Sequence, residues 1–284
     1  MIARNLTVRL LGLLITLCTW VSALQAEASS PAQRIIALSP STVEQLFAIG
    51  AGDRIVGTVE YADYPEAAKK IRRIGNYAGI QIEQALALKP DLVIAWKGGN
   101  KQADIDKLKA LGVKVHQSKI LNISQISSDL RKLGELTGLQ DNAEKVINDM
   151  KMKYQSITRT YAGKSPVKVF YQLWHQPLRT VGPDSWIESL LKDCNAINLF
   201  SDVSAPYPQV SFESVLVKNP QVIIIPHHSG NEGAKTQHWS QWPELDAVKS
   251  QQIHVLNGDL LHRFTPRALD GLDTLCQKID KARN

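Results

Sequence analysis

Cysteine is scarce in this 284-residue chain, with three copies, and none lies at zinc-site or redox-motif spacing from another. There is no Gly-x-Ser-x-Gly elbow, no Gly-rich phosphate loop and no His-x-x-x-His pair, so the common hydrolase, nucleotide and metalloprotease signatures are missing. Long apolar runs are also missing beyond the stretch Leu10 to Cys18, which is too short to span a bilayer. The charge excess is modest, 33 basic against 27 acidic residues, and is spread along the chain, which argues against a nucleic-acid footprint. With 44% hydrophobic residues, long disorder is excluded too.

The short apolar run follows Arg4 and Arg9 and precedes Ala26-Glu27-Ala28, the pattern of a secretory signal peptide over 1–28, with cleavage after Ala28 or Ala26. A bulky Leu17 before Cys18 speaks against lipidation there. Export leaves Cys194 and Cys276, whose pairing in an oxidising compartment would form one bridge; two buried thiols are the alternative.

Beyond residue 29 the pattern alternates. Strands are expected at Arg34–Leu38, Arg54–Thr58, Asp91–Trp96 and near Val113–His116, with helices between them, one starting at a Ser41/Glu44 capping box and another over Lys101–Leu111. Residues 142–161 lack Pro and Gly and carry apolar side chains at Val146, Ile147, Met150, Tyr154 and Ile157, which predicts a long amphipathic helix. The alternation then resumes, with strands at Val167–Leu173, Gln221–Pro226 and Ile253–Leu256 and helices near Trp186–Lys192 and Arg267–Lys281. An internal repeat marks the two halves, because Glu83-x-x-Leu86-x-x-Lys89-Pro90-Asp91 recurs 130 residues on as Glu213-x-x-Leu216-x-x-Asn219-Pro220-Gln221. The expected architecture is α/β: two doubly wound parallel-sheet lobes, 29–139 and 164–284, joined by a single long helix over 140–163, with a ligand cleft between them.

Candidate contact residues follow from placement. Tyr61, Tyr77, Trp96, Trp174 and Tyr207 fall at strand ends or in the loops after them, where rings suit a bulky, partly apolar ligand; ordinary packing is the alternative for any one of them. Asp259 and Arg263, four apart after the last strand, could hold amide or phosphate groups or simply pair with each other. Glu83 and Glu213, one per half, are placed to dock a symmetric basic partner or to be plain surface charges. His175, His227, His228, His238 and His262 fit surface or packing roles, and no catalytic or metal-binding set is assigned.

Ile35-Ile-Ala-Leu-Ser-Pro-Ser-Thr-Val-Glu44, Gly57-Thr-Val-Glu-Tyr-Ala-Asp-Tyr-Pro65 and Ala87-Leu-Lys-Pro-Asp-Leu-Val-Ile-Ala-Trp-Lys-Gly-Gly-Asn100 together resemble the solute-binding proteins whose lobes are joined by one helix and which serve ABC importers of metal chelates. Ala95-Trp-Lys-Gly-Gly-Asn100 resembles more narrowly the vitamin B12-binding members of that class. The resemblance implies a monomeric periplasmic carrier of cobalamin, without enzymatic activity or cofactor of its own, working with an inner-membrane permease and its ATPase subunits. It implies that Tyr61 touches the corrin, that Trp96 lines the cleft and that Asp259 and Arg263 contact the ligand. Glu83 and Glu213 would engage permease arginines, and Cys194 and Cys276 would be bridged. Tyr77 and Tyr207 stand where some members have tryptophan, and Leu173-Trp174-His175-Gln176 departs from a phenylalanine-bearing stretch. The same scaffold with haem or an iron-siderophore is the alternative ligand class, and an exported α/β hydrolase using His227 or His228 a more distant one.

Overall fold

The computed structural model describes residues 30–228 and 236–283; the signal segment expected over 1–28 lies outside them. Four parallel strands, β1 (Ile35–Ala37), β2 (Ile55–Thr58), β5 (Leu92–Trp96) and β6 (Val115–Ser118), form the first sheet in the order β2-β1-β5-β6. A two-stranded antiparallel ribbon, β3 (Gly75–Asn76) and β4 (Gly79–Ile80), sits apart from it. The second sheet, β7 (Val167–Tyr171), β8 (Ala196–Asn198), β9 (Val222–His227) and β10 (Ile253–Asn257), is also wholly parallel and has the order β8-β7-β9-β10. The two orders are the same when each lobe is read from its own first strand, so the repeat seen in the sequence is a repeat of topology. Central strands read as near-continuous apolar runs because helices cover both faces, as parallel sheets require.

The connecting helices of the first lobe are α1 (Pro40–Ala48), α2 (Ile82–Ala87), α3 (Gln102–Ala110) and α4 (Ile123–Thr137). Then comes α5 (Gln140–Tyr161), the long helix, followed in the second lobe by α6 (Trp186–Asp193), α7 (Phe212–Lys218), α8 (Asp246–Lys249), α9 (Gly258–His262) and α10 (Ala268–Asp280). One face of α5 buries Ile147, Met150 and Ile157 in a hydrophobic cluster that runs from Ile35 and Ile94 in the first lobe to Val169 and Leu272 in the second. A smaller cluster lies in each lobe, around Ile36 and Val93 in one and Phe170 and Ile223 in the other. Burial of this kind, at about 25 cal/mol per Å² of apolar surface, is what fixes the linking helix against both halves.

The Cys194 and Cys276 sulfurs are bonded, tying the end of α6 to α10 across 82 residues of sequence. Two expectations are corrected. The cap of α1 is Ser39, whose hydroxyl accepts from the Thr42 amide with Pro40 at the first helical position, rather than Ser41. Helix α4, which precedes the linking helix, was not anticipated, although Ile123, Ile126, Leu130 and Leu133 are spaced for one buried stripe.

Candidate ligand-binding site

A cavity of about 400 Å³ opens between the lobes, lined among others by Tyr61, Trp96, Trp174, His228, Asp259 and Arg263. Each of its segments follows the C-terminal end of a parallel strand: Ser39–Ser41 after β1, Tyr61 and Asp63 after β2, Trp96 ending β5, Trp174 after β7, His228 after β9, and Asp259–Phe264 after β10. That is where open α/β sheets place ligands, because the loops there are free to vary while the strands stay fixed.

The first lobe supplies rings. Trp96 keeps 37% of its surface exposed and lies over Gly99, where an added Cβ would fall 1.8 Å from the indole. Asn100 completes the motif, since its Oδ1 accepts from the Trp96 amide at 2.7 Å and its Nδ2 donates to the Leu38 carbonyl at 2.8 Å. Ala-Trp-Lys-Gly-Gly-Asn is thus a device that seats one indole at the end of β5 and ties the ends of β5 and β1 together. Tyr61 is 70% exposed and adopts a left-handed backbone, φ 65°, a conformation that costs a non-glycine residue about 1 kcal/mol or more.

The second lobe supplies hydrogen-bonding groups. His228 Nδ1 lies 2.9 Å from Asp259 Oδ1, His228 Nε2 lies 3.0 Å from His262 Nδ1, and His262 Nε2 lies 2.8 Å from the hydroxyl of buried Tyr171. Burial, reinforced by the neighbouring His228, pushes the His262 imidazole down to about 3, against the pull of Asp259, so it is neutral at physiological pH. Burial also raises the Tyr171 phenol well above its ordinary value. Trp174, 60% exposed, donates its indole N–H to the Gln176 carbonyl.

Arg263 is the surprise. It is buried, and its guanidinium reaches across the lobes to Glu44 at 2.8 Å and Asp63 at 2.8 Å while also meeting Asp259 at 3.3 Å and the Tyr61 carbonyl at 3.3 Å. Burial works against its charge, but the bonds to Glu44 and Asp63 outweigh it and leave the group above its ordinary value. Arg267 binds the other oxygen of buried Glu44 at 3.1 Å and stacks on the Tyr64 ring at 3.5 Å. Backbone contacts extend this clasp: Phe264 N donates to Ser41 Oγ, and Gln45 Nε2 donates to the Phe264 carbonyl. The Phe264 ring packs edge-on against Trp96 and Trp186, at centroid distances of 5.5 and 5.0 Å. Ser41 and Glu44, expected to cap their own helix, are used instead to hold the opposite lobe.

The structure therefore gathers Tyr61, Trp96, Trp174, Asp259 and Arg263 around one cavity. Tyr77, on the β3–β4 turn, and Tyr207 are exposed but are not part of its lining. Glu83 and Glu213 lie apart from it, each exposed in the first turn of its helix, α2 and α7. Bonds from its own amide and from Ser211 hold the Glu213 carboxyl below its ordinary value. His228 and His262, expected to be surface or packing residues, instead form part of the cleft, whereas His175 and His238 pack against one another with ring centroids 4.3 Å apart and planes tilted by 42°, beside Phe212. His227 is half-buried at the end of β9 and is not part of the lining. Sequence distance hid the histidine cluster, since 171, 228 and 262 meet only once three strands are aligned. Among the described residues no group of three or more His, Cys, Asp or Glu side chains could hold a metal ion, and no helix is long and apolar enough to cross a membrane.

Comparisons with known proteins agree with this picture. The family model described as periplasmic binding protein matches residues 35–260. The chain is 38% identical over 253 residues to the vitamin B12-binding protein of Vibrio cholerae, covering 89% of this chain and 91% of that one. It is 37% identical over 249 residues to the vitamin B12-binding protein of Yersinia pestis, covering 87% and 86%. The crystal structure of the periplasmic vitamin B12 binding protein BtuF of Vibrio cholerae superposes with a TM-score of 0.82 at 36% identity, covering 89% of this chain and 99% of that one. The haem-binding protein BhuT, at 20% identity and a TM-score of 0.79 over 88% of this chain and 99% of its own, shares the fold. On the match over most of its length, this chain is a member of the periplasmic binding protein family.

Proposed function

We propose that this protein is a periplasmic carrier that captures vitamin B12 (cobalamin) in the cleft between its lobes and hands it to an inner-membrane ABC permease with its ATPase subunits. The observation that carries the reading is the cavity itself, with exposed rings on one wall and fixed hydrogen-bonding groups on the other, in a chain 38% identical to a vitamin B12-binding protein. A corrin with an amide-bearing rim matches both walls: the Trp96, Tyr61 and Trp174 rings cover its apolar face, and the Asp259 carboxylate, an acceptor with several lone-pair sites, takes amide N–H groups. At about 400 Å³ the cavity is at the small end for ligand sites, so a ligand of this bulk fills the floor and projects from the opening.

In this reading no bond is made or broken. The nitrogen of His228 that would serve as a base faces His262, not a nucleophile, and no cofactor of the protein's own is invoked. Glu83 and Glu213 supply the docking contacts to basic sockets on the permease, while Arg263 serves chiefly as the interlobe clasp and only at its edge as a ligand contact. The carrier works as a monomer, with one ligand per chain.

The test separates capture from delivery. Trp96→Ala is expected to weaken retention of cyanocobalamin in equilibrium dialysis, whereas Glu83→Ala with Glu213→Ala is expected to keep retention and lose association with the permease in proteoliposomes. Loss of ligand by the double glutamate variant would overturn the docking assignment.

A further inference from the structure

The turn that follows β2 presents Tyr61 in a backbone conformation that its side chain disfavours. At φ 65° the Cβ is brought close to the carbonyl oxygen, and a non-glycine residue stays there only where its surroundings over-determine it. Here they do so at two consecutive carbonyls. Arg263, from the opposite lobe, donates to the Tyr61 carbonyl at 3.3 Å, and Arg73, from the same lobe, donates to the Ala62 carbonyl at 2.7 Å. The Asp63 amide closes the turn on the Tyr61 carbonyl at 3.1 Å, the Glu60 amide donates to the Gly75 carbonyl at 3.0 Å, and Ala62 is buried. The Tyr61 ring is left 70% exposed as part of the cavity wall.

Arg73 belongs to this turn and not to the cleft. Its backbone bridges to Thr58 at the end of β2, its side chain is half-buried, and it is not part of the cavity lining. Besides Ala62 its guanidinium donates to the Ala68 and Ile71 carbonyls, at 3.0 and 2.9 Å. One planar fork thus gathers three carbonyls of the segment 62–71, which a lysine ammonium, a point charge on a flexible stem, does not reproduce. Building on the reading in which Tyr61 touches cobalamin, we propose that Arg73 is a positioning residue for ligand capture: from outside the cleft it locks the left-handed turn that holds the Tyr61 ring in the cavity wall. Without that lock Tyr61 relaxes to an ordinary backbone region and its ring leaves the wall. Binding then has to restore the turn at the expense of affinity.

A double-mutant cycle read by equilibrium dialysis with cyanocobalamin tests the route. Arg73→Lys keeps the charge and is expected to weaken binding roughly three- to tenfold in the otherwise unaltered protein. In Tyr61→Ala, which has no ring to place, the same substitution is expected to change Kd by less than about twofold, whereas in Trp96→Ala it keeps its full effect. A general loosening of the scaffold would lower affinity in both backgrounds alike. On the unaltered protein, hydrogen exchange at the Asp63 amide reports on the turn itself and is expected to be at least about tenfold slower than in an open chain. Open-chain exchange at Asp63, an unchanged Kd in Arg73→Lys, an equal loss in Tyr61→Ala, or no loss in Trp96→Ala overturns this proposal alone; absence of cyanocobalamin binding by the unaltered protein overturns the cobalamin reading beneath it.

Discussion

The two walls of the cleft are built on the same frame and made of different chemistry. Both sheets have the same strand order, and both present the C-terminal ends of their strands to the cavity. Yet the first lobe offers Trp96 and Tyr61, rings in part open to solvent, while the second offers, beside the Trp174 ring, Asp259, His228, His262 and Arg263, already bonded to one another. The lesson is that the repeat sets where a ligand can lie and the loops after the strands set what it meets. The ring-bearing wall gains by losing water, which favours bulk and flat shape; the polar wall selects by direction, since each of its groups has a fixed partner and a fixed donor sense.

The largest effect expected from breaking this arrangement is on the polar side. Arg263→Met leaves buried Glu44 facing only Arg267, so it should destabilise the fold by about 3–5 kcal/mol in urea denaturation. Pairing it with Glu44→Met should recover only part of that loss, because the most deeply buried carboxylate is no longer stranded while Asp63, Asp259 and Arg267 still each lose a partner. On the ring-bearing side, Trp96→Ala should cost about 2 kcal/mol of ligand affinity, some thirtyfold in Kd, with a smaller effect on urea stability. A larger loss of stability than of affinity would make Trp96 a core residue and erase the contrast.

A control outside both walls concerns Asp193, which accepts from the Tyr154 hydroxyl of α5 at 2.7 Å. Burial raises its carboxyl to about 6 from 3.8, although the Tyr154 bond pulls the other way. Because the folded-state value lies above the unfolded one, the native state holds the proton more tightly, and stability falls as pH rises from about 4 to 6. The loss should be about 1–2 kcal/mol, and Asp193→Asn should flatten it in thermal denaturation across that range. The smallest effect is expected from Tyr61→Phe, which keeps the ring that the wall presents: a change of no more than about twofold in Kd.

The frame was legible in the sequence, for reasons that are local. Strands such as Leu92–Trp96 and Val222–His227 announce themselves as apolar runs after a Pro, and α5 as a long stretch with a single buried stripe. Helix α4 carried an equally clear stripe, and Pro40 at the first helical turn already pointed to Ser39 as the cap. Other features were not available to any local reading. The clasp joins Glu44 to Arg263 over 219 residues, so the capping pattern at Ser41 and Glu44 gave no sign that both side chains serve the other lobe. The cleft histidines are likewise a product of strand order: His228 and His262 meet because β9 and β10 are neighbours, and Tyr171 joins them from β7 on the other side of β9. Aromatic placement was legible only in part, since Tyr61, Trp96 and Trp174 converge on the cavity while Tyr77 and Tyr207 stand outside its lining.

The most direct test of the central claim is a calorimetric titration of the mature protein with cyanocobalamin, haem and a ferric siderophore in parallel. Tight one-to-one binding of cyanocobalamin, with no heat from the other two, is the predicted result. Heat from haem or the siderophore with none from cyanocobalamin would keep the carrier fold and contradict the ligand, and silence with all three would contradict the account of the cleft itself.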